Sequence, residues 1–257
     1  MKLRGYLALG MLCLSFLISD LIQRLVIAPW AKLRPTARPR VLARWINLMA
    51  SLVVTTLTRV GGARIQLPSR IVPSEPGTLI VMNHQSVLDI PLVVSTVAEG
   101  YPRIVTRARY RRFIPLISHM VRLYKYPVVD PTANPGDLRN SVESLGLEGK
   151  GSDVPIAIFP EGTRTKDGEV GRFRPRGLRT LLSQRPWRVY LFVADGYWRT
   201  AKLKDFLAGM RHIDGRMQFL GTHEWTDPGA DPDSFIEEIH QRLVDGLAEI
   251  RAEVVEA

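Results

Sequence analysis

A chain of 257 residues, 46% apolar and 23% charged, is long enough to bury a sizeable core and too apolar to stay disordered. Its formal net charge of +10 calls for an acidic partner: nucleic acid, an anionic membrane or an acidic substrate. Cys13 is the only cysteine, which excludes disulfides within the chain and cysteine-rich metal sites, and fits a reducing compartment.

The placement of charge narrows the choice. Residues 1–60 hold nine Lys/Arg against the single acid Asp20, and residues 103–125 hold seven more with no acid. Residues 224–257 reverse this, with ten acids against Arg242 and Arg251. Basic residues interleaved with apolar runs suit an anionic lipid surface. No helix-turn-helix, zinc-finger or RNP-like signature is present, so nucleic acid is set aside as a partner.

In chain order, residues 5–19 carry no charge but are fewer than the roughly 20 a spanning helix needs. Leu21, Ile22, Leu25 and Val26 continue the run as an amphipathic pattern, and Pro29 is expected to break it. After an Arg/Pro-rich loop over 32–40, Val41, Leu42, Trp45, Ile46, Met49 and Val53 recur on one helix face, and Gly61-Gly62 ends that helix. Three arrangements are open: a cleaved signal peptide, one spanning helix over 5–28, or a two-helix anchor embedded in one leaflet with its Arg-rich turn on headgroups. No A-x-A-like site follows the first run, and a spanning helix would bury Asp20 and Arg24. The two-helix anchor over 1–60 is therefore favoured, followed by a second unit over 61–257.

Past Gly62 short β-like runs alternate with helices. Strands are expected over 63–67, 78–82, 103–106, 127–129, 155–159, 189–193 and 217–221, and helices over 90–98, 115–123, 136–147, 176–184 and 234–254. This alternation predicts an α/β fold, a mixed sheet covered by helices. In the last helix Ile236, Ile239, Leu243, Leu247, Ile250 and Val254 form a docking stripe, and its acids read as a solvated face.

Two polar loops, each at the end of an apolar strand, carry the candidate chemistry. The first is Asn83-His84-Gln85-Ser86-Val87-Leu88-Asp89. Pro91 is tolerated only in the first turn of a helix, so the helix begins near Asp89 and the bend folds that carboxylate back onto His84. Asp89 would then fix the imidazole tautomer and leave the other nitrogen to take a proton from an alcohol. The spacing alone is weak: His240 and Asp245 repeat it, but mid-helix, where five residues turn about 140° beyond one full turn and two exposed side chains face apart. The second loop is Phe159-Pro160-Glu161-Gly162-Thr163-Arg164-Thr165, whose tight turn, hydroxyl and guanidinium suit a phosphate. A third cluster, Arg107, Arg109, Arg111 and Arg112, reads equally as a phosphate or headgroup clamp and as a solvated basic face.

Together the two loops resemble the first and third sequence blocks of the glycerolipid acyltransferases, specifically the 1-acylglycerol-3-phosphate acyltransferases. The likeness covers roughly residues 60–225, and FPEGTR lying about 75 residues after the histidine is its most specific part. The resemblance implies that His84 is the general base and Asp89 its orienting partner. It implies that Glu161, Gly162, Thr163 and Arg164 form the acceptor-phosphate site, with Asn83, Ser86, Phe159 and Pro160 supporting. Arg109 joins that site because a basic residue some six positions before Pro115 matches the family's second block.

The resemblance further implies acyl-CoA or acyl-carrier protein as donor, a lysophospholipid as acceptor, and no metal or other cofactor. Such an enzyme would sit on the cytoplasmic face of the inner membrane, held by residues 1–60. Two departures stand out. Ser118 replaces a glycine three residues after Pro115. The fourth block reads Leu191-Phe192-Val193-Ala194-Asp195-Gly196 where a Val-Pro-type strand end is usual. These leave the acceptor open to another lyso-lipid, such as a lyso-aminolipid. A non-catalytic lipid-binding module and a secreted hydrolase are the rivals from other classes.

Overall fold

In the computed structural model, which describes residues 2–200 and 210–255, the N-terminal run stays helical through Pro29. α1 (Lys2–Ile22), a π-helical turn (Gln23–Ile27) and α2 (Ala28–Leu33) follow without interruption, contrary to the expected break. The π turn supplies the reason. Ala28 N–H bonds the Gln23 carbonyl five residues back, so the hydrogen-bond register shifts just where Pro29 has no N–H to give.

Three polar residues of this run, Asp20, Gln23 and Arg24, have side-chain partners. Arg24 pairs with Asp20 at 2.9 Å. The buried Gln23 accepts from Trp45 Nε1 at 2.8 Å and donates to the Leu116 carbonyl at 3.3 Å. Trp45 belongs to α3 (Arg38–Thr55), which a second π turn (Thr56–Val60) extends. Gly62, at φ 78°, then turns the chain away.

The stretches Leu3–Leu33 and Arg38–Val60 are both long and apolar enough to cross a membrane. They differ in what they cover. α1 exposes Leu3, Tyr6, Leu7, Met11, Leu14 and Leu17, an apolar surface that water does not favour and lipid does. α3 instead buries Leu42, Trp45, Ile46 and Met49 in the core of the following domain.

Among the described residues eight strands follow: β1 (Arg64–Ile65), β2 (Thr78–Met82), β3 (Arg103–Ile104), β4 (Thr106–Arg107), β5 (Val128–Val129), β6 (Ile156–Ile158), β7 (Trp187–Asp195) and β8 (Asp214–Trp225). Between and after them lie α4 (Asp89–Thr96), α5 (Ile117–Leu123), α6 (Pro135–Lys150), α7 (Pro175–Leu182) and α8 (Asp233–Val255). The main sheet runs β1-β8-β7-β2-β6-β3, while β4 and β5 pair separately. Among the described strands of this sheet the β7–β8 pair alone is antiparallel, so the sheet is mixed. β7 and β8 outrun their expected lengths because they pair with each other from Trp187↔Trp225 to Asp195↔Arg216.

Side-chain alternation along β2 divides the core. Ile80 and Met82 face a cluster shared with α3, α4 and α5, and Leu79 and Val81 face one shared with α6, α7 and α8. Each such fully buried side chain is worth about 1.5–3 kcal/mol. The stripe Ile236, Ile239, Leu243, Leu247 and Ile250 docks α8 on the second face; the side chain of Val254 lies outside the described residues. On the same helix Asp245 is exposed, but His240 is half-buried, contrary to expectation, with its ring edge-on to Phe173 at 4.7 Å. That ring fills space between α8 and the loop before α7.

Candidate active site

β2, β6, β7 and β3 are parallel, so their carboxyl ends share one edge of the sheet, where open α/β sheets place ligands. The register sets Val81 beside Ile158 and Met82 beside Phe192. The residues that follow, Asn83-His84, Phe159-Pro160 and Val193-Ala194, are therefore neighbours.

Asn83 fastens the first loop by imitating a peptide group. Its side chain donates to the Ala194 carbonyl at 2.9 Å and accepts from Ala194 N–H at 2.8 Å. The chain then bends into α4, whose first residue is Asp89. Asp89 is fully buried, and its Oδ2 accepts from His84 Nδ1 at 2.7 Å, Gln85 N–H at 2.7 Å and Ser86 N–H at 2.8 Å. One oxygen thus closes the loop and orients the imidazole, leaving Nε2 as the outward nitrogen. The ring stacks on Phe159 at 4.4 Å, and its side chain is 20% exposed.

The second loop is joined to the first by its backbone. Thr165 N–H donates to the His84 carbonyl at 2.8 Å, and His84 N–H donates to Glu161 Oε1 at 2.7 Å. Glu161 Oε2 accepts from Gly171 N–H at 3.0 Å. Both oxygens of Glu161 therefore point inward, beneath the turn, where only 3% of the residue is exposed. Burial pushes its carboxyl up to about 7 against the two N–H donors, which favour ionisation, and Asp89 and Asp167 push it the same way as burial.

Gly162 takes φ +64° in that turn, a conformation glycine adopts without strain, and Thr163 stands exposed beside the half-buried Arg164. Pro160 is buried, and its carbonyl accepts from Arg174 N–H at 2.8 Å.

Arginines surround this turn. Arg107 donates through Nε and Nη2 to the Gly162 carbonyl, at 3.1 and 2.5 Å. Burial, and after it the charges of Arg109 and Arg174, hold its guanidinium below the ordinary value. Arg174 runs along Gly162, whose Cβ, were there one, would lie 3.2 Å from Arg174 Cδ. Like charges gathered on a turn of backbone dipoles suit an anion. Arg109, the residue favoured by spacing, is exposed instead, with Nη2 on the Tyr110 hydroxyl at 2.9 Å and its guanidinium over that ring.

The residues that follow make a strained loop, with Phe113 and Leu116 both at positive φ. Ser118, in the place of a glycine, accepts from Ile114 N–H at 2.9 Å and holds the turn around Pro115.

The Acyltransferase family model matches residues 65–192, a span that contains both loops and the strands that carry them. Over that span the chain carries an Acyltransferase domain. Its fold is similar to that of the 1-acyl-sn-glycerophosphate (LPA) acyltransferase PlsC from Thermotoga maritima, with TM-score 0.67 over 93% of this chain and 96% of that one, at 16% identity. No curated protein sequence matches the chain at a significant level.

For an acyltransferase the geometry has a direct chemical use. The substrate's own hydroxyl is the nucleophile, so the site needs a base, an orienting carboxylate and a means of holding the substrate. A histidine braced by a buried aspartate and seated beside an arginine-flanked turn offers all three. The spacing argument missed Arg107 and Arg174 as the arginines on the turn. It also missed Gln85, Asp195 and Arg251, which brace the loop from behind.

Proposed function

We propose that this acyltransferase moves a fatty acyl group from acyl-CoA or acyl-carrier protein to the free hydroxyl of a lysophospholipid, with 1-acylglycerol-3-phosphate as acceptor and phosphatidic acid as product. The carrying observation is the junction of the two loops, in which His84, held at 2.7 Å by Asp89, shares backbone bonds with the FPEGTR turn. Base and anion site are thus rigidly related.

His84 Nε2 takes the proton of the acceptor hydroxyl as its oxygen attacks the thioester carbonyl carbon. The tetrahedral intermediate collapses, the C–S bond breaks, and the imidazolium returns its proton to the departing sulfur. Ester and free thiol are the products. Asp89 supplies the countercharge while the imidazole is protonated. Gly162, Thr163, Arg164 and Arg109 hold the acceptor phosphate, with Arg107 and Arg174 adding positive charge, so that binding energy aims the hydroxyl at Nε2. Glu161 acts from beneath the turn as a brace. The chemistry invokes no metal or other cofactor.

The enzyme sits on the cytoplasmic face of the inner membrane, where acyl-CoA and acyl-carrier protein are found, with residues 1–60 as anchor. The exposed apolar side of α1 supports the membrane attachment, as does Phe113, 96% exposed between Arg111, Arg112 and the segment that Gln23 ties to α1.

The test is transfer from labelled acyl-CoA, or acyl-carrier protein, to lysophosphatidic acid, with wild type beside His84→Ala. Labelled phosphatidic acid from the wild type alone is the expected result. Undiminished transfer by His84→Ala would sink the assignment of the base. Transfer only to a different lyso-lipid would replace the acceptor and keep the chemistry.

A further inference from the structure

Gln85 is one of the four residues between His84 and Asp89, and its side chain is fully buried. A buried amide needs partners for its oxygen and its nitrogen. Its Oε1 accepts from Tyr197 N–H at 3.1 Å, and its Nε2 donates to Asp195 Oδ1 at 3.0 Å and to the Gly168 carbonyl at 3.2 Å.

Arg251, on α8, grips both acceptors of that nitrogen. Its Nε meets Asp195 Oδ2 at 3.0 Å, and its Nη2 meets Asp195 Oδ1 at 3.3 Å and the Gly168 carbonyl at 2.9 Å. Its Nη1 meets Glu169 at 2.7 Å. Burial alone would push the Asp195 carboxyl up, but the bonds from Arg251 and Gln85 outweigh it and leave it below the usual range.

We propose that Arg251 and Asp195 are positioning residues of the transferase, holding the catalytic loop in register through Gln85. The proposal rests on the acyl-transfer reading of His84 and Asp89. Arg251 touches no reacting atom. It ties together the end of β7, the loop after the FPEGTR turn and the last helix, and Gln85 passes that restraint to the loop. The backbone N–H of Gln85 is one of the three donors on Asp89 Oδ2, so a shift of Gln85 moves the seat of the aspartate and with it the ring of His84.

The brace attaches at Asp195, the last residue of β7. Only a forked guanidinium can span Asp195, Gly168 and Glu169 at once, so lysine is a partial substitute.

The experiment uses full-length protein in one detergent: wild type, Arg251→Lys, Arg251→Met, Gln85→Met and the Arg251→Met/Gln85→Met pair. Transfer kinetics, thermal unfolding and hydrogen exchange without substrate are measured on each. Arg251→Met is expected to lower kcat about ten- to a hundredfold, the scale of a small misplacement, with acceptor KM within about twofold. Arg251→Lys recovers part of the loss, and the double variant is no worse than its more impaired parent, because both act through one path.

Exchange over residues 83–89 rises in Arg251→Met while that of β2 stays as in wild type. Three results would overturn the proposal: kcat of Arg251→Met within about twofold of wild type, losses that multiply in the double variant, or a loss that follows only the folded fraction. If Arg251→Met does not fold, Arg251→Lys decides alone, through a kcat loss at unchanged KM. If wild type transfers nothing to any acceptor, the acyl-transfer reading fails by itself. Exchange then still decides the brace, and an unchanged rate over 83–89 overturns it.

Discussion

His84 and Asp89 share their spacing with His240 and Asp245, yet the first pair meets at 2.7 Å while the second sits on one helix with its members facing apart. The difference is where the chain bends. After Met82 a strand ends and a helix begins at Asp89, so five residues double back and bring the carboxylate under the ring. On α8 the chain does not bend, Asp245 accepts from Gln241 at 2.8 Å, and His240 packs on Phe173. A residue pattern acquires chemistry from the backbone that carries it. Asp89 shows the cost side as well: three donors converge on one buried oxygen, whereas Asp245 is exposed and touches one neighbouring side chain.

The largest effect should separate the two histidines. Replacing His84 by Ala removes the base and should lower kcat by about 10²–10⁴-fold, with the fold kept. His240→Ala should leave transfer within about twofold, because nothing at the sheet edge depends on it. Equal losses in both variants would erase the distinction. The aspartates come next. Asp89→Asn keeps one oxygen for the three donors but withdraws the charge opposite the imidazolium, and should lower kcat about a hundredfold, with a change in Tm of only a few degrees. Asp245→Asn should be indistinguishable from wild type in the same two assays.

Much of this was legible in the sequence, and the parts that were not share a cause. The strand Thr78–Met82 is an unbroken apolar run between polar loops, and the two loops stand out against it. Local information was enough for both, as it was for the docking stripe of α8. The π turn at Gln23 was hidden because an i+5 register leaves no mark in residue type, so Pro29 read as a break. Spacing singled out Arg109, which lies in the 3-10 turn after β4 beside Tyr110, whereas Arg107, the last residue of that strand, is the one that bonds the Gly162 carbonyl. Glu161 read as part of a phosphate cradle, and only the fold shows its oxygens turned inward to His84 and Gly171. Arg251 left one local sign, as one of two arginines on a helix crowded with acids. Its partners Asp195 and Gly168 are distant in sequence and adjacent only once the sheet has formed.

A smaller effect concerns the brace between the two loops. Glu161 is pushed up to about 7 from an ordinary 4.5, chiefly by burial, so the folded chain holds that proton more tightly than the unfolded chain. Its contribution to stability is full below about 4.5 and is lost as pH rises through about 7, a change on the order of 2–4 kcal/mol. Glu161→Gln cannot titrate. The Tm of wild type relative to Glu161→Gln should therefore fall between pH 5 and pH 7.5, and level off above. A difference that stays constant with pH would mean that Glu161 is ionised throughout, and that His84 N–H rests on a permanent charge.

The smallest effect returns to His240. Its Nε2 is buried and, among the described residues, meets no hydrogen-bond partner, while its Nδ1 lies 3.9 Å from Glu237. The edge-on contact with Phe173 is worth about 0.5–1.5 kcal/mol, and a buried unpaired nitrogen costs about 1–3 kcal/mol. His240→Leu gives up the first and removes the second, so Tm should stay level or rise by a few degrees, with transfer unchanged. At His84 the same substitution keeps a stacked apolar side chain on Phe159 and removes the only imidazole that Asp89 orients. It also takes from the buried Asp89 a bond of 2.7 Å, so His84→Leu should lower both Tm and transfer, which separates a histidine that fills space from one that moves a proton. A clear loss of Tm in His240→Leu would show instead that the ring is bonded in solution, and the second pair would then need a role of its own.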